Sequence, residues 1–323
     1  MTRTALRLAL TGCALFALSG CVTPTETTPD EATPAVATAV AADPQLLEDV
    51  RILSADDMEG RDTGSPGGQK ARDYIVARLE AIGVQAPPFG RLQPFEAQGR
   101  TREGVKTFNG VNIVGLIPGR RVVDRYIVVT AHYDHVGVNG GQIYNGADDN
   151  ASGVATLLAL AARLKAEAPD HSVLIVALDG EERGLLGARE FVKAPPVPLS
   201  SVALNLNFDM IARAETDGHL WVTGTYQNPT LRPILETVTA TGPVSFAFGK
   251  DTPQDTGEDN WVDASDHAAF QEAGVPFLYM GVDYHPDYHR PTDDFDRITP
   301  AVFGSSAELA IAGFHALDRT LDR

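Results

Sequence analysis

Residues 126–134 read Tyr-Ile-Val-Val-Thr-Ala-His-Tyr-Asp. The first six are apolar or β-branched with no charged break, the pattern of a strand covered on both faces. Directly beyond it come His132 and Asp134. Runs of the same kind occur at 111–117, 173–178 and 202–208, with further candidates at 220–223 and 275–280. Helical patterns lie between them at 68–82, 152–165, 185–192, 229–241, 266–273 and 300–321. Strand–helix alternation predicts an α/β fold, a three-layer sandwich whose central, mostly parallel mixed sheet is flanked by helices. The stretch 87–108 reads as irregular and too short to be an inserted domain. No internal repeat is visible.

The N-terminus reads as a targeting segment. Arg3 and Arg7 give it a positive start, residues 8–18 form an apolar core too short for a stable membrane span, and Leu18-Ser19-Gly20-Cys21 follows. That tetrapeptide resembles the bacterial lipobox, whose cysteine is lipidated. The expected organisation is therefore a lipoprotein signal peptide at 1–20, a Thr/Pro/Ala-rich tether at 21–43 and one globular domain at 44–323. The expected location is the cell envelope, with the protein exported and anchored to a membrane, the outer one by preference, through lipidated Cys21. Only Cys13 and Cys21 occur. Cleavage removes the first and lipid blocks the second, so no disulfide is expected.

The net charge of the 323 residues is -17. Residues 1–21 hold two arginines and no acid, so their loss leaves -19. A general basic surface for nucleic acid is thereby excluded. Asp251, Asp255, Glu258, Asp259, Asp263 and Asp266 follow one another without a basic residue among them. They read as a solvated acidic loop or as a rim that favours cationic groups, such as a peptide amino terminus.

Chemistry concentrates where the apolar runs stop, the edge at which sheets of this class bind ligands. His132 and Asp134 follow 126–131, Asp179 to Glu182 follow 173–178, and Asp209 ends 202–208. The stretch Gly146-Ala147-Asp148-Asp149-Asn150-Ala151-Ser152-Gly153 precedes a helix, and two adjacent acids between glycines exceed what a helix cap needs. A carboxylate has two oxygens and can bridge two cations, which makes Asp148 the candidate bridge. Glu181 and Glu182 are neighbours, so in an extended segment one can bind a metal while the other faces water. Asp134 is a candidate to orient the His132 ring. Tyr288-His289 supplies a second histidine. His135, His267 and His285 are rivals, and a lone exposed histidine is more often inert.

These stretches, in this order, resemble the M28 family of zinc peptidases. So do Glu182-Arg183-Gly184-Leu185-Leu186-Gly187, Asn207-Phe208-Asp209-Met210-Ile211, the Pro-Thr-Asp after His289, and upstream Glu59-Gly60-Arg61-Asp62-Thr63-Gly64-Ser65. The resemblance runs from about Leu46 to the C-terminus. It implies two zinc ions: His132 and Asp209 on one, Glu182 and His289 on the other, Asp148 between them. It implies Glu181 as general base, Asp134 as partner of His132, Tyr288 as support for the oxyanion, and a cis peptide between Asp148 and Asp149. The implied substrate is a peptide, cleaved by an aminopeptidase. A glutaminyl cyclase or a carboxypeptidase of the same fold are the alternatives. The second would need a cation such as Arg183, Arg213 or Arg290 for the substrate carboxylate. No basic clamp favours a phosphoesterase.

Overall fold

The structure is a computed structural model and describes residues 43–88, 90–101 and 104–321. The signal segment, Cys21 and all of the tether but Asp43 lie outside the described residues. Among those described, no helix is long and apolar enough to cross a membrane.

Eight strands form the main sheet. They are β1 (Leu92–Thr101), β2 (Gly104–Ile117), β3 (Val122–His132), β6 (His171–Leu178), β7 (Val202–Phe208), β8 (His219–Thr223), β9 (Ser245–Phe248) and β10 (Phe277–Gly281). The spatial order is β1-β2-β6-β3-β7-β10-β8-β9. β4 (Gly137–Asn139) and β5 (Gln142–Tyr144) make a separate hairpin. The central four strands, β6, β3, β7 and β10, are mutually parallel, while β2 and β8 run against them. This is the expected mixed sheet.

The period of two along the strands separates two cores. Ile127, Val129, Val173, Ile175 and Ala177 face one core, which also takes side chains from α1 (Pro44–Leu53), α2 (Pro66–Ile82), α3 (Gly153–Ala166) and α7 (Pro300–Thr320). Val128, Leu174, Val176 and Leu178 face the other, against Phe191 of α4 (Leu186–Lys193) and Phe270 of α6 (His267–Glu272). All eight residues of β6 and all seven of β7 are buried. Each such Val, Ile or Leu contributes roughly 1.5–3 kcal/mol of transfer energy. Two polar residues inside this region are paired: Thr130 donates to Asn207 Oδ1 at 2.6 Å, and Asn207 Nδ2 donates to Ser265 Oγ at 2.9 Å.

Four features differ from expectation. Residues 92–101 are strand β1, paired antiparallel with β2, and not irregular. Only Gly99 of β1 is buried and every second residue from Leu92 to Gln98 is exposed, so no apolar run marks it. β9 was missed too. Helix α1, not expected as an element, buries Leu46, Val50 and Leu53 on one stripe, and the Asp43 carboxylate caps it by accepting from Gln45 N–H at 2.9 Å. Of 229–241, only α5 (Arg232–Leu235) is α-helical, because Pro233 suits a first turn alone and Thr237-Val238-Thr239 is a β-branched run.

Arg61 ties the site-bearing loops together. Its side chain is fully buried and donates to the carbonyls of Leu53, Tyr133, Asn145 and Gly146 at 2.6–2.9 Å. Burial pulls its pKa down to about 10, with Asp149, Asp293 and Asp134 opposing, so it stays charged at neutral pH. Arg61→Met would leave four carbonyls without that donor, at about 1–3 kcal/mol for each buried group left unpaired. A loss of at least about 3 kcal/mol in urea-unfolding stability is expected. An unchanged midpoint would show that the loops hold without it.

Candidate metal centre

The ends of β3, β6 and β7 meet at one edge of the sheet. His132 is the last residue of β3, Glu181 and Glu182 sit in a turn three and four residues beyond β6, and Asp209 follows β7 directly. Gly180 and Gly184 take positive φ in that turn. The Asp134 carboxylate accepts the N–H groups of Glu181 and Glu182 at 3.1 and 3.3 Å. The His132 ring is oriented by the Asp134 carbonyl, 3.1 Å from Nδ1, with the carboxylate farther off at 3.8 Å. Asp134 thus reaches His132 through its backbone, while its side chain holds the two glutamates in place.

Fixed in that way, His132 turns Nε2 toward Asp209 Oδ1 at 3.2 Å and Asp149 Oδ1 at 3.4 Å. On the other side, His289 Nε2 lies 3.0 Å from Asp149 Oδ2 and 3.2 Å from Glu182 Oε1. One carboxylate, that of Asp149, therefore faces both histidines. His132, Asp149 and Asp209 form one group able to hold a metal ion; His135, Asp149 and Glu182 form another. Met210 and His289 both have left-handed backbones, at φ 59° and 52°, conformations that non-glycine residues adopt mainly where surrounding structure enforces them.

Asp148, the expected bridge, is not between the histidines. Its Oδ1 accepts from Ala212 N–H at 2.7 Å and from the Ser152 hydroxyl at 3.0 Å, and its Oδ2 lies 3.1 Å from His285 Nε2. Adjacent side chains leave the loop on opposite sides, and the sequence does not say which of the two acids faces the cleft. The cis peptide correspondingly joins Asp149 and Asn150, not Asp148 and Asp149. Asp293, from the Pro-Thr-Asp after His289, accepts the N–H groups of both Asp148 and Asp149 at 3.0–3.1 Å. Gly146 is required here: at φ +56°, a Cβ would lie 2.0 Å from the Asp149 carbonyl and 2.6 Å from the His135 ring.

Glu181 and Tyr288 line the same cleft, with Met210, Trp261, Tyr279 and Tyr284. The Tyr288 ring stacks on His289 at 4.0 Å between centroids. The rival histidines separate. His267 is buried against Phe277, and burial lowers its pKa to about 4. His285 serves Asp148. His135 is buried within the cluster, with Nδ1 2.8 Å from Glu182 Oε1. The acidic run after 250 is not one rim. Asp251 is buried and accepts from Gly224 and Tyr226 N–H, Asp266 is buried beneath the site, and Glu258, Asp259 and Asp263 are exposed.

Electrostatics set the charges in the cluster. Burial lowers the His132 pKa, but Asp209, Glu181 and Asp149 overcome it and raise it well above the ordinary value. Burial likewise opposes charge on His289, yet the Asp149 and Glu182 carboxylates beside it push its pKa up to about 11. Burial favours a neutral Glu182, while His135 and His289 hold it well below the carboxylate range. Glu181 goes the other way: burial raises it well above that range, His132 opposes, and Glu182 adds to the rise. The crowded carboxylates thus favour positive charge among them.

Residues 112–313 match the family described as peptidase family M28, and the chain belongs to that family. Aminopeptidase YwaD of Bacillus subtilis is 26% identical over 215 residues, 63% of this chain and 44% of that protein. The chain spans about half the length of the curated relatives it matches. In fold it is similar to the zinc aminopeptidase BSAP of Bacillus subtilis, with a TM-score of 0.67, 17% identity, and 86% and 95% of the two chains covered. It is also similar to the glutaminyl cyclase of Porphyromonas gingivalis, with a TM-score of 0.66, 19% identity, and 86% and 99% covered.

A cation between Asp149 and Glu182 needs a neutral His289 ring. The Asp149 and Glu182 carboxylates raise that ring's pKa to about 11, so cation binding at pH 7–8 should expel a proton. Calorimetric zinc titrations in two buffers of different ionisation enthalpy should show proton release, and affinity should rise with pH over this range. Identical heats in both buffers would mean the ring is already neutral.

Proposed function

We propose that the chain is a zinc-dependent exopeptidase, specifically an aminopeptidase that removes N-terminal residues from peptides at a two-zinc site. The observation that carries this reading is the Asp149 carboxylate facing a histidine–acid group on each side. The residues fit zinc: all donors are imidazole nitrogens or carboxylate oxygens, and buried Glu182 Oε1 has no hydrogen-bond partner. His132 and Asp209 would hold one ion, Glu182 and His289 the other, and Asp149 would share both, in the place expected for Asp148.

Bound there, the zinc pair would supply a water of lowered pKa and a polarised scissile carbonyl. Glu181 takes the proton of the attacking water on its carboxylate and returns it to the leaving amine. Its backbone is held by Asp134, so its carboxylate is positioned before substrate arrives. Burial, then Asp149 and Glu182, raise the pKa of Tyr288, so its hydroxyl keeps its proton and donates to the developing oxyanion. The surplus of carboxylates around the cleft favours a substrate bearing an ammonium group.

The two alternatives have less support. Of the cations a carboxypeptidase would need, Arg213 is paired with Asp287 at 3.1 Å, Arg183 donates to Asp62, and Arg290 does not line the cleft. A glutaminyl cyclase that works with one zinc would leave the His132, Asp149 and Asp209 group without a role.

Glu181→Gln should lower turnover of aminoacyl chromogenic substrates roughly 10²–10⁴-fold while retaining zinc, and exhaustive chelation should abolish it. Loss of zinc in that variant would make Glu181 a ligand instead. Equal cleavage of N-terminally blocked substrates would sink the aminopeptidase reading, and formation of pyroglutamate would favour the cyclase. Leu18-Ser19-Gly20-Cys21 supports a lipid-anchored protein of the cell envelope. Cys21→Ala should then move the protein from the detergent phase to the aqueous phase, and an unmoved protein would exclude the anchor.

A further inference from the structure

His135 lies outside the five side chains assigned to zinc, yet its ring is fully buried among them. A histidine buried for packing normally has its nitrogens satisfied. Here neither Nδ1 nor Nε2 has a hydrogen-bond partner. Nδ1 is 2.8 Å from Glu182 Oε1 and 3.7 Å from Asp149 Oδ2. The shorter distance is within hydrogen-bond range, but the atoms are not aligned as donor and acceptor, and Glu182 Oε1 is itself left unpartnered.

Those two oxygens are the ones that His289 Nε2 approaches, at 3.2 and 3.0 Å. Donors 2.0–2.1 Å from a tetrahedral zinc lie about 3.3 Å from one another. The four separations, 2.8, 3.7, 3.0 and 3.2 Å, fall around that value. The geometry points to His135, through Nδ1, as a further protein ligand of the cation held by Glu182, His289 and Asp149. The inference rests on the metallopeptidase reading above and extends it.

Its consequence is asymmetry. One position has four protein donors, as closed structural zinc sites do. The other has three, His132, Asp209 and Asp149, and keeps an open place for water or substrate. The first ion is held; the second exchanges and meets the substrate. Gly146 fits this role, since any Cβ there would strike the His135 ring.

Cadmium-113 bound to the full chain labelled with ¹⁵N-histidine tests the bond directly by NMR. The expected spectrum has ring nitrogens of three histidines split by cadmium, one of them an Nδ1 signal lost in His135→Gln. Splitting of two histidines only would overturn the inference and leave the metallopeptidase reading standing. No splitting at all would remove both. Chelator competition with zinc gives a second readout: two affinity classes at least tenfold apart, the tighter weakened at least tenfold in His135→Gln and the weaker unchanged. Equal affinities in the wild-type chain would overturn the asymmetry. The wild-type spectrum decides the question even where the variant does not fold.

Discussion

Negative charge gathered where water is scarce is the constraint on which the rest of the structure depends. Asp134, Asp149, Glu182, Asp209 and Asp266 crowd one edge of the sheet with little or no exposure, and Glu181 stands beside them in the cleft. Carboxylates that close raise one another's pKa unless a cation intervenes. The same carboxylates raise the pKa of His132 and His289. Divalent ions between the same donors would supply the cation, and would free the rings to act as ligands. Burial raises the pKa of Glu181, as it does those of Asp134 and Asp266.

The fold makes this crowding possible by fixing the backbone first. Parallel strands buried on both faces end together, so residues some eighty positions apart in sequence leave the sheet side by side. Arg61 draws four carbonyls from three segments onto one guanidinium, and Asp293 takes the N–H groups of Asp148 and Asp149. Asp134 does the same for Glu181 and Glu182. Acidic and basic groups that never enter the cleft therefore set the positions of those that do, as supporting contacts around metal ligands commonly do.

Much of this was legible in the sequence, and the failures have physical reasons. The buried strands announced themselves because both faces are apolar; β1 did not, because one of its faces is exposed and the other only half-buried. The chemistry-bearing loops were found by what ends each strand. The choice between Asp148 and Asp149 was not readable, since it depends on the direction in which one loop residue points, and neither composition nor spacing records that. His135 was set aside as an isolated histidine for a similar reason. Its burial depends on the ring filling the space above Gly146, a contact across eleven positions. The expected contact of Asp134 with the His132 ring is present, and its carbonyl makes it.

Anomalous diffraction at the zinc edge from crystals of the zinc-loaded chain tests the central claim most directly. Two peaks about 3.5–4 Å apart are expected, one on each oxygen of the Asp149 carboxylate. A single peak, or density beside Asp148 in place of Asp149, would contradict the dinuclear site.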